Sequence, residues 1–478
     1  MNKLSAINTD KLTNYKNQDS VEKKIESITN KSRGSRSFSE KVRLFQLKLY
    51  DKAKREKDYR FYILYDKIFL IQTLEVAYHK VKSKGGSSPG VDGQTIVDIE
   101  KYGKEKFLAD LSEDLRKKSY QPQPVKRVFI DKEDGSKRPL GIPTIRDRIA
   151  QTACKLVIEP IFEADFEDSS YGFRPNRKAS DAIRAIKSNL YKGLTEVYDA
   201  DLSKFFDKIP HDKLMKTLSL RISDKRVLQL INLWLKSPVD DGGKYTGGKR
   251  NKVGAPQGGV ISPLLSNIYL HLLDKIVRKS DGHYRRAGVE IIRFADDFIL
   301  MSRKMPEGIT EVLAKLLARM GLQINEEKSK VLDVGKEPLE YLGFEIRYAK
   351  SILHRDGRKY WSIIPSPKSQ RKLRQKLRLR LRHIGHYGPS KVAAELNPIL
   401  RGWLNYFDQP GLSHIQIARQ KLRHYLSERL YRYYSRKSQR RSKLSRRDAY
   451  TELTTKYGLI QVYTSSKTRP VNAMSRNL

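Results

Sequence analysis

The stretch EIIRFADDFILMS restricts this chain more than any other, because an adjacent acidic pair, Asp296 and Asp297, interrupts two strongly apolar runs. Short apolar runs of this kind predict two strands joined by a tight turn. Flanks so apolar also require that turn to emerge from a packed sheet. Taken alone, an acidic pair in a hairpin turn is ordinarily just solvated. A second strand-like segment, EVYDADLSKFF, changes the weighing, since it stands about 95 residues earlier and also carries carboxylates. Two such strands side by side would gather three acidic groups at one sheet edge.

The surrounding pattern sets the fold class. The run VKRVFIDKEDGSKRPLGIP predicts a β-hairpin turning at Glu133, Asp134 and Gly135, while SDAIRAIKSNL and ITEVLAKLLARMGL predict helices. A sheet with helices on one side, an α+β arrangement, follows. Ahead of it, Leu44, Leu47 and Tyr50, then Leu64, Ile68 and Leu70, suggest amphipathic helices. Beyond residue 366 the chain becomes helical and very basic. Leu373, Leu377 and Leu381 form one narrow apolar stripe, and Leu422, Leu426 and Leu430 form another. Four segments are expected: a polar arm over 1–40, a mixed region over 41–365, a basic helical region over 366–435, and a basic tail over 436–478.

Charge identifies the class of partner. Lys plus Arg number 96 against 54 Asp plus Glu, a net charge of +42. An excess of that size implies a polyanion, and nucleic acid fits because each neutralised phosphate releases counterions. The rival, an anionic membrane, lacks support: no apolar run approaches the roughly 20 residues of a spanning helix. With no apolar signal core in the opening MNKLSAINTDKLTNYKNQ, the expected location is cytoplasmic, the bacterial cytosol or nucleoid. The lone cysteine, Cys154, excludes intrachain disulfides and Cys-rich zinc sites and reads as a small buried hydrophobe.

Nucleotidyl transfer explains a need for two acidic strands. Two Mg2+ ions, roughly 3.5–4 Å apart, activate the attacking hydroxyl and stabilise the leaving pyrophosphate. Mg2+ takes hard oxygen ligands and keeps water and substrate phosphate in its shell, and Mn2+ is an alternative. Asp201 and Asp296 are the expected bridging ligands, with Asp297 as the third. Asp199 shares a strand face with Asp201. Asp201 is preferred because Phe206, five residues later, then falls where an aromatic gate is expected.

These blocks resemble the ordered motifs of reverse transcriptases from about residue 85 to 345, and those of group II intron-encoded proteins in particular. SPGVDG resembles the N-terminal block that these proteins share with non-LTR retroelement enzymes, KRPLGIPTIRDRIAQ the fingers block, SSYGFRPNRKASDAI the next, and DADLSKFFD the first palm motif. GAPQGGVISPLLSNIYL resembles the motif under the incoming nucleotide, RFADD the metal motif, GLQINEEKSKVL the block with a lysine near the triphosphate, and EYLGFEI the primer grip. LNPILRGWLNYF resembles the maturase or X domain that serves as thumb. The resemblance implies a right-hand polymerase, with an antiparallel palm sheet followed by an all-α basic thumb, that copies RNA into DNA and helps its intron RNA splice and move.

The resemblance also implies residue roles. Asp201, Asp296 and Asp297 would bind metal. Lys137 and Arg138 would meet the triphosphate, Phe206 would exclude a 2′-hydroxyl, Gln257 would contact the dNTP, and Lys328 would act near the triphosphate. Phe294, Leu342 and Gly343 would touch the primer. Arg371, Lys372, Arg374, Arg378, Arg401 and Trp403 would touch RNA. Implied partners are an RNA template, the parent intron RNA, a DNA primer or target and dNTPs. Phe294 stands where Tyr is usual, which removes a hydroxyl without removing a metal carboxylate. The tail has neither His nor Cys, so no HNH nuclease is expected. Alternatives are a freestanding or defence-linked (including CRISPR-linked) enzyme without an intron, a splicing factor with a dead polymerase, and RNA-templated RNA synthesis, which Phe206 disfavours.

Overall fold

The structure, a computed structural model, describes residues 37–83, 88–131, 135, 137–350, 358–385, 387–436, 444 and 448–463. Nearly all of the polar arm expected over 1–40 lies outside these residues, as do Glu133, Asp134 and residues 464–478. The strands are β1 (Val125–Asp131), β2 (Lys137–Ile142), β3 (Glu196–Ala200), β4 (Pro238–Asp241), β5 (Lys244–Gly247), β6 (Glu290–Phe294), β7 (Asp297–Ser302), β8 (Lys330–Asp333), β9 (Leu339–Tyr341), β10 (Phe344–Lys350) and β11 (Lys359–Pro365). The chain forms two compact units, Met1–Ala182 with Tyr198–Val331, and Ile183–Val197 with Leu332–Leu478. It passes from one to the other after Ala182, within β3 and within β8.

The first unit begins with the helix Phe38–Arg55. Ser37 and Glu40 cap it reciprocally, each side chain accepting from the other's backbone N–H. Leu44, Leu47, Leu64 and Ile68 are buried as their spacing predicts, whereas Leu70 is exposed at a helix boundary. The central helix Ile145–Glu163 starts at Thr144, whose hydroxyl accepts from Asp147 N. Almost every turn of this helix is buried, including Cys154, whose thiol pKa burial drives far up.

Two sheets complete this unit. The expected hairpin forms between β1 and β2, with Val128 opposite Leu140. A second hairpin, β4–β5, extends it through parallel pairing of β4 with β1, giving the order β2-β1-β4-β5. The other sheet has the order β6-β7-β3-β8. Its centre is dry: Ile291, Ile292 and Phe298 to Met301 are at most 2% exposed. That adjacency of β7 and β3 positions the site described below.

The second unit holds the sheet β11-β10-β9 and the helices Pro367–His383, Pro389–Phe407, Gln416–Ser435 and Ala449–Lys456. Both leucine stripes are buried, each residue contributing about 1.5–3 kcal/mol. Tyr425 and Tyr433 donate their hydroxyls to the carbonyls of Arg374 and Ile384, which ties the third helix to the first. Tyr425 and Tyr433 are therefore committed to packing. Composition places a boundary at 366, but the β9–β11 sheet groups with these helices. The reason is direct: Ser366 N and Ser369 Oγ donate to Gly343 O, and Tyr406 OH donates to Leu342 O. Residues 448–463 are also packed, with Tyr450, Leu453, Leu459 and Val462 buried. Among the described residues, no helix is long and apolar enough to cross a membrane.

Candidate active site

The acidic pair sits where the sequence predicts. Phe294 pairs with Asp297, so Ala295 and Asp296 form a two-residue turn between β6 and β7. Ala295 has φ of +60°. A hairpin turn of this kind suits glycine at that position, and an L-residue held there costs about 1–2 kcal/mol. The strain is confined by close packing, because a Cβ added to Gly172 would stand 2.2 Å from Ala295 N. Only glycine lets the 169–172 segment approach the turn so closely.

Asp201 follows directly after β3, next to β7 in the sheet. A neighbouring loop fixes it at three points. Asp201 N donates to Ser329 Oγ at 3.0 Å, its carbonyl accepts from Asn325 N at 2.8 Å, and its Oδ2 accepts from Asn325 Nδ2 at 3.2 Å. Lys328 places its ammonium 3.9 Å from the same Oδ2, on a largely exposed side chain. So long and exposed an ion pair contributes little to stability. Sequence reasoning picked Lys328 from this block but passed over Asn325 and Ser329; polar residues flanking that lysine were the available signal.

The carboxylates form one electrostatic neighbourhood. Burial raises the pKa of Asp297 to about 6, and the charges of Asp296, Asp201 and Asp199 add to the rise. Burial raises Asp296 too, with Arg138 opposing and Asp201 reinforcing the shift. Asp199 is lifted to about 6 by burial, Lys330 pulling it down and Asp201 pushing it up. Among the described residues, no three His, Cys, Asp or Glu side chains are already gathered as a metal cage. Mg2+ ordinarily completes its shell with water and phosphate. Carboxylate oxygens are hard donors, the kind that suits divalent cations such as Mg2+.

This repulsion has a measurable sign. A carboxyl whose folded pKa exceeds its unfolded value holds a proton in the folded state that the unfolded state has released. Its contribution is therefore lost as pH rises from about 4 through about 6. Asp297 keeps an open side to solvent, so the ionised form costs about 1 kcal/mol rather than the full shift. In EDTA at pH 7.5, Asp297→Asn is expected to melt a few degrees above the unmodified protein. The gap should close towards pH 4, and thermal melts across pH 4–8 check it.

Of the residues expected from sequence to meet a nucleotide, Arg138 acts on the turn by its charge. Arg138 and Lys137 are exposed on β2, and Lys137 stands opposite Asp131 in the β1–β2 ladder. The Arg138 Nε lies 3.4 Å from Gln257 Oε1, and its charge is felt by both Asp296 and Asp297. Gln257 O accepts from Gly141 N of β2. Gly258 is obligatory at its position: φ is +106°, and a Cβ would stand 2.1 Å from Gly141 O. Gln151, on the central helix, anchors the far side of this loop by accepting from Val260 N at 2.8 Å. Phe206 is 9% exposed, edge-on to Phe205 at 5.3 Å, and its carbonyl accepts from Ala255 N.

The sequence is matched in known proteins. Residues 130–346 match the family described as reverse transcriptase (RNA-dependent DNA polymerase), and residues 370–451 match the group II intron maturase-specific domain. Protein YkfC of Escherichia coli K12 is 36% identical over 293 residues, which cover 54% of this chain and 75% of YkfC. The chain belongs to the group II intron-encoded reverse transcriptase and maturase family. LtrA of Lactococcus lactis subsp. cremoris, a group II intron-encoded protein, is 36% identical over 259 residues, covering 54% of this chain and 40% of LtrA. An uncharacterized 91 kDa protein in the cob intron of Schizosaccharomyces pombe is 29% identical over 440 residues, covering 75% of this chain and 53% of that protein. The chain thus spans about half the length of these last two relatives.

In the family's maturase segment, Arg371, Lys372, Arg378 and Arg401 are exposed and Arg374 is half-buried. Trp403 differs from them. It is 9% exposed with its ring 5.2 Å from Phe407, so it packs inside the unit and is not presented outward. An indole and an exposed arginine one helical step apart look alike in sequence, and packing decides between them. Leu342 and Gly343 form the β9–β10 turn, both with positive φ. A Cβ on Gly343 would meet Ser369 Oγ at 2.8 Å.

Proposed function

We propose that this chain is an RNA-directed DNA polymerase of the group II intron type that also binds its parent intron RNA and assists splicing and retromobility in the bacterial cytosol or nucleoid. One observation carries the polymerase reading: β7 lies beside β3, and the charge of Asp201 acts on both Asp296 and Asp297. Asp201, Asp296 and Asp297 are the residues assigned to hold two divalent cations, Mg2+ or Mn2+. With them bound, the chemistry supplied is activation of the primer 3′-hydroxyl and stabilisation of the leaving pyrophosphate.

The chain's own residues orient the reactants. Lys137 and Arg138 face the triphosphate with charge that is not consumed in the core. Backbone at Gly258 and Gly259 allows close approach of a dNTP, and Gln257 contacts it. Phe206 lies under the sugar and disfavours a 2′-hydroxyl, which selects dNTP over rNTP. Lys328, on the open side of Asp201, is assigned to protonate pyrophosphate. Phe294 packs by the primer end, and Leu342 with Gly343 contacts the primer strand. Exposed Arg371, Lys372, Arg378 and Arg401, with Arg374 beside them, meet RNA phosphates, while Trp403 supports that surface from within. Splicing assistance on this basis is structural and strongly salt dependent.

The test is extension of a DNA primer on an RNA template with dNTPs and Mg2+, run beside an rNTP arm. Extension with dNTPs and little with rNTPs is expected, and no extension sinks the polymerase reading. Splicing of an intron transcript at near-physiological Mg2+, with and without the protein, tests the maturase half. Equal splicing in both would remove it.

A further inference from the structure

The acidic turn is held by a buried guanidinium that the proposed chemistry does not use. Arg293 precedes Phe294 on β6 and is 0% exposed. Its side chain has five N–H donors, and each has an acceptor. Nε and Nη2 grip Asp274 at 2.8 and 2.6 Å, and Nη2 also reaches Ser170 Oγ at 2.7 Å. Nη1 donates to Asn267 Oδ1 at 2.9 Å and to Ala295 O at 2.8 Å. The last contact is to the carbonyl of the residue with positive φ, immediately before Asp296.

The surroundings lock this arrangement from outside. Ser169 O accepts from Arg293 N, and Arg293 O accepts from Tyr171 N. Asn267 Nδ2 donates to Gly172 O at 2.7 Å, and Gly172 presses on the Ala295 backbone. Asp274 is itself 0% exposed and on the helix Ser262–Arg278. A buried ion pair is a poor way merely to fill a core, since apolar residues of similar volume are often as stable or more so. Four of the five donors build the cradle; the fifth ends on the strained turn.

We infer that Arg293 is a positioning residue for the catalytic carboxylates, holding Ala295 O so that the strained turn presents Asp296 and Asp297 at one fixed place, with Asp274, Asn267 and Ser170 orienting the guanidinium. The inference rests on the carboxylate site proposed above. Lysine cannot replace the arginine, because one ammonium cannot grip Asp274 in two places and also reach Asn267 and Ala295. Outer partners of this type typically change metal affinity or activity by about 10–100-fold.

The full chain is compared with Arg293→Met/Asp274→Leu, which removes both buried charges together, and with Arg293→Lys. Three readouts are taken: Mn2+ binding by electron paramagnetic resonance without nucleic acid, primer extension against Mg2+ concentration, and thermal melting. The double variant is expected to melt cooperatively while its half-saturating metal concentration rises, and kcat falls, by about 10-fold or more. The dNTP KM should stay near the unmodified value. A cooperatively melting double variant with unchanged Mn2+ binding and kcat overturns the inference. Should that variant fail to fold, Arg293→Lys decides: a folded protein with the same metal defect supports positioning, and one with unmodified metal binding and kcat overturns it. If the unmodified protein shows neither Asp296-dependent Mn2+ binding nor extension, the carboxylate-site reading itself falls, and this inference with it.

Discussion

Asp296→Ala is expected to lower RNA-templated DNA extension by at least about 10³-fold, equivalent to about 4 kcal/mol of lost transition-state stabilisation. The fold should survive, because the side chain sits in a turn whose backbone is held by Arg293 and Gly172 rather than by the carboxylate. Removing one of several repelling, partly desolvated acids should leave the metal-free melting temperature unchanged or raise it. Stability and activity are therefore expected to move apart, which a general folding defect would not produce. Asp201→Ala should lose extension to a similar degree. Asp199→Asn should lose far less, since Asp199 is balanced by Lys330 and Asp201 is the residue anchored by Asn325 and Ser329. Primer extension and melting curves on the three variants check the assignment. Equal loss from Asp199→Asn would mean that the ligand had been chosen from the wrong end of the DAD segment.

Gly258→Ala is the second large effect. The new methyl group would stand 2.1 Å from Gly141 O, a backbone atom that cannot rotate away, at a φ of +106°. Left-handed strain of about 1–2 kcal/mol and overpacking of about 1–3 kcal/mol together predict a loss near 2–5 kcal/mol. Where the loop moves to avoid the clash, the cost appears as function instead. Gln257 is displaced from β2 and from Arg138, so dNTP KM rises along with the loss of kcat. Gly288→Ala is the control, with φ of +69° and nothing within 4 Å of the added Cβ. It should cost about 1–2 kcal/mol at most and leave extension intact. Equal behaviour of the two variants in melting and extension would mean that the close approach at Gly258 has no functional consequence.

Several elements were legible because their sequence carries a local signal. The β6–β7 hairpin announced itself through apolar runs around a polar turn, and both leucine stripes recorded their buried faces at helical spacing. The β4–β5 hairpin left no such trace: PVDDGGKYTG is rich in turn formers, and β5 is exposed along its length. It is a strand pair because β1 offers it an edge, which only tertiary contact supplies. Trp403 misled for the converse reason. Aromatics among arginines suit an RNA-facing surface and a packed helix interface equally well, and here the rings and hydroxyls serve the interface. A charged residue inside the apolar strand EIIRF was the one visible hint of Arg293, and nothing local says whether such a charge points to water or to a buried partner.

By itself, the sequence determined the α+β class, the polyanionic partner implied by the charge of +42 and the family, and it singled out the three candidate carboxylates. Each of these is written in residue identity, period or order, which survive without knowledge of the fold. Only tertiary structure decided that β7 lies next to β3, that Asn325 and Ser329 anchor Asp201, and that Arg293 spends its fifth donor on the strained turn. Periodicity records that a face is buried but not what buries it. A hydrogen-bond partner 123 positions away, as Ser170 is from Arg293, is chosen by packing alone.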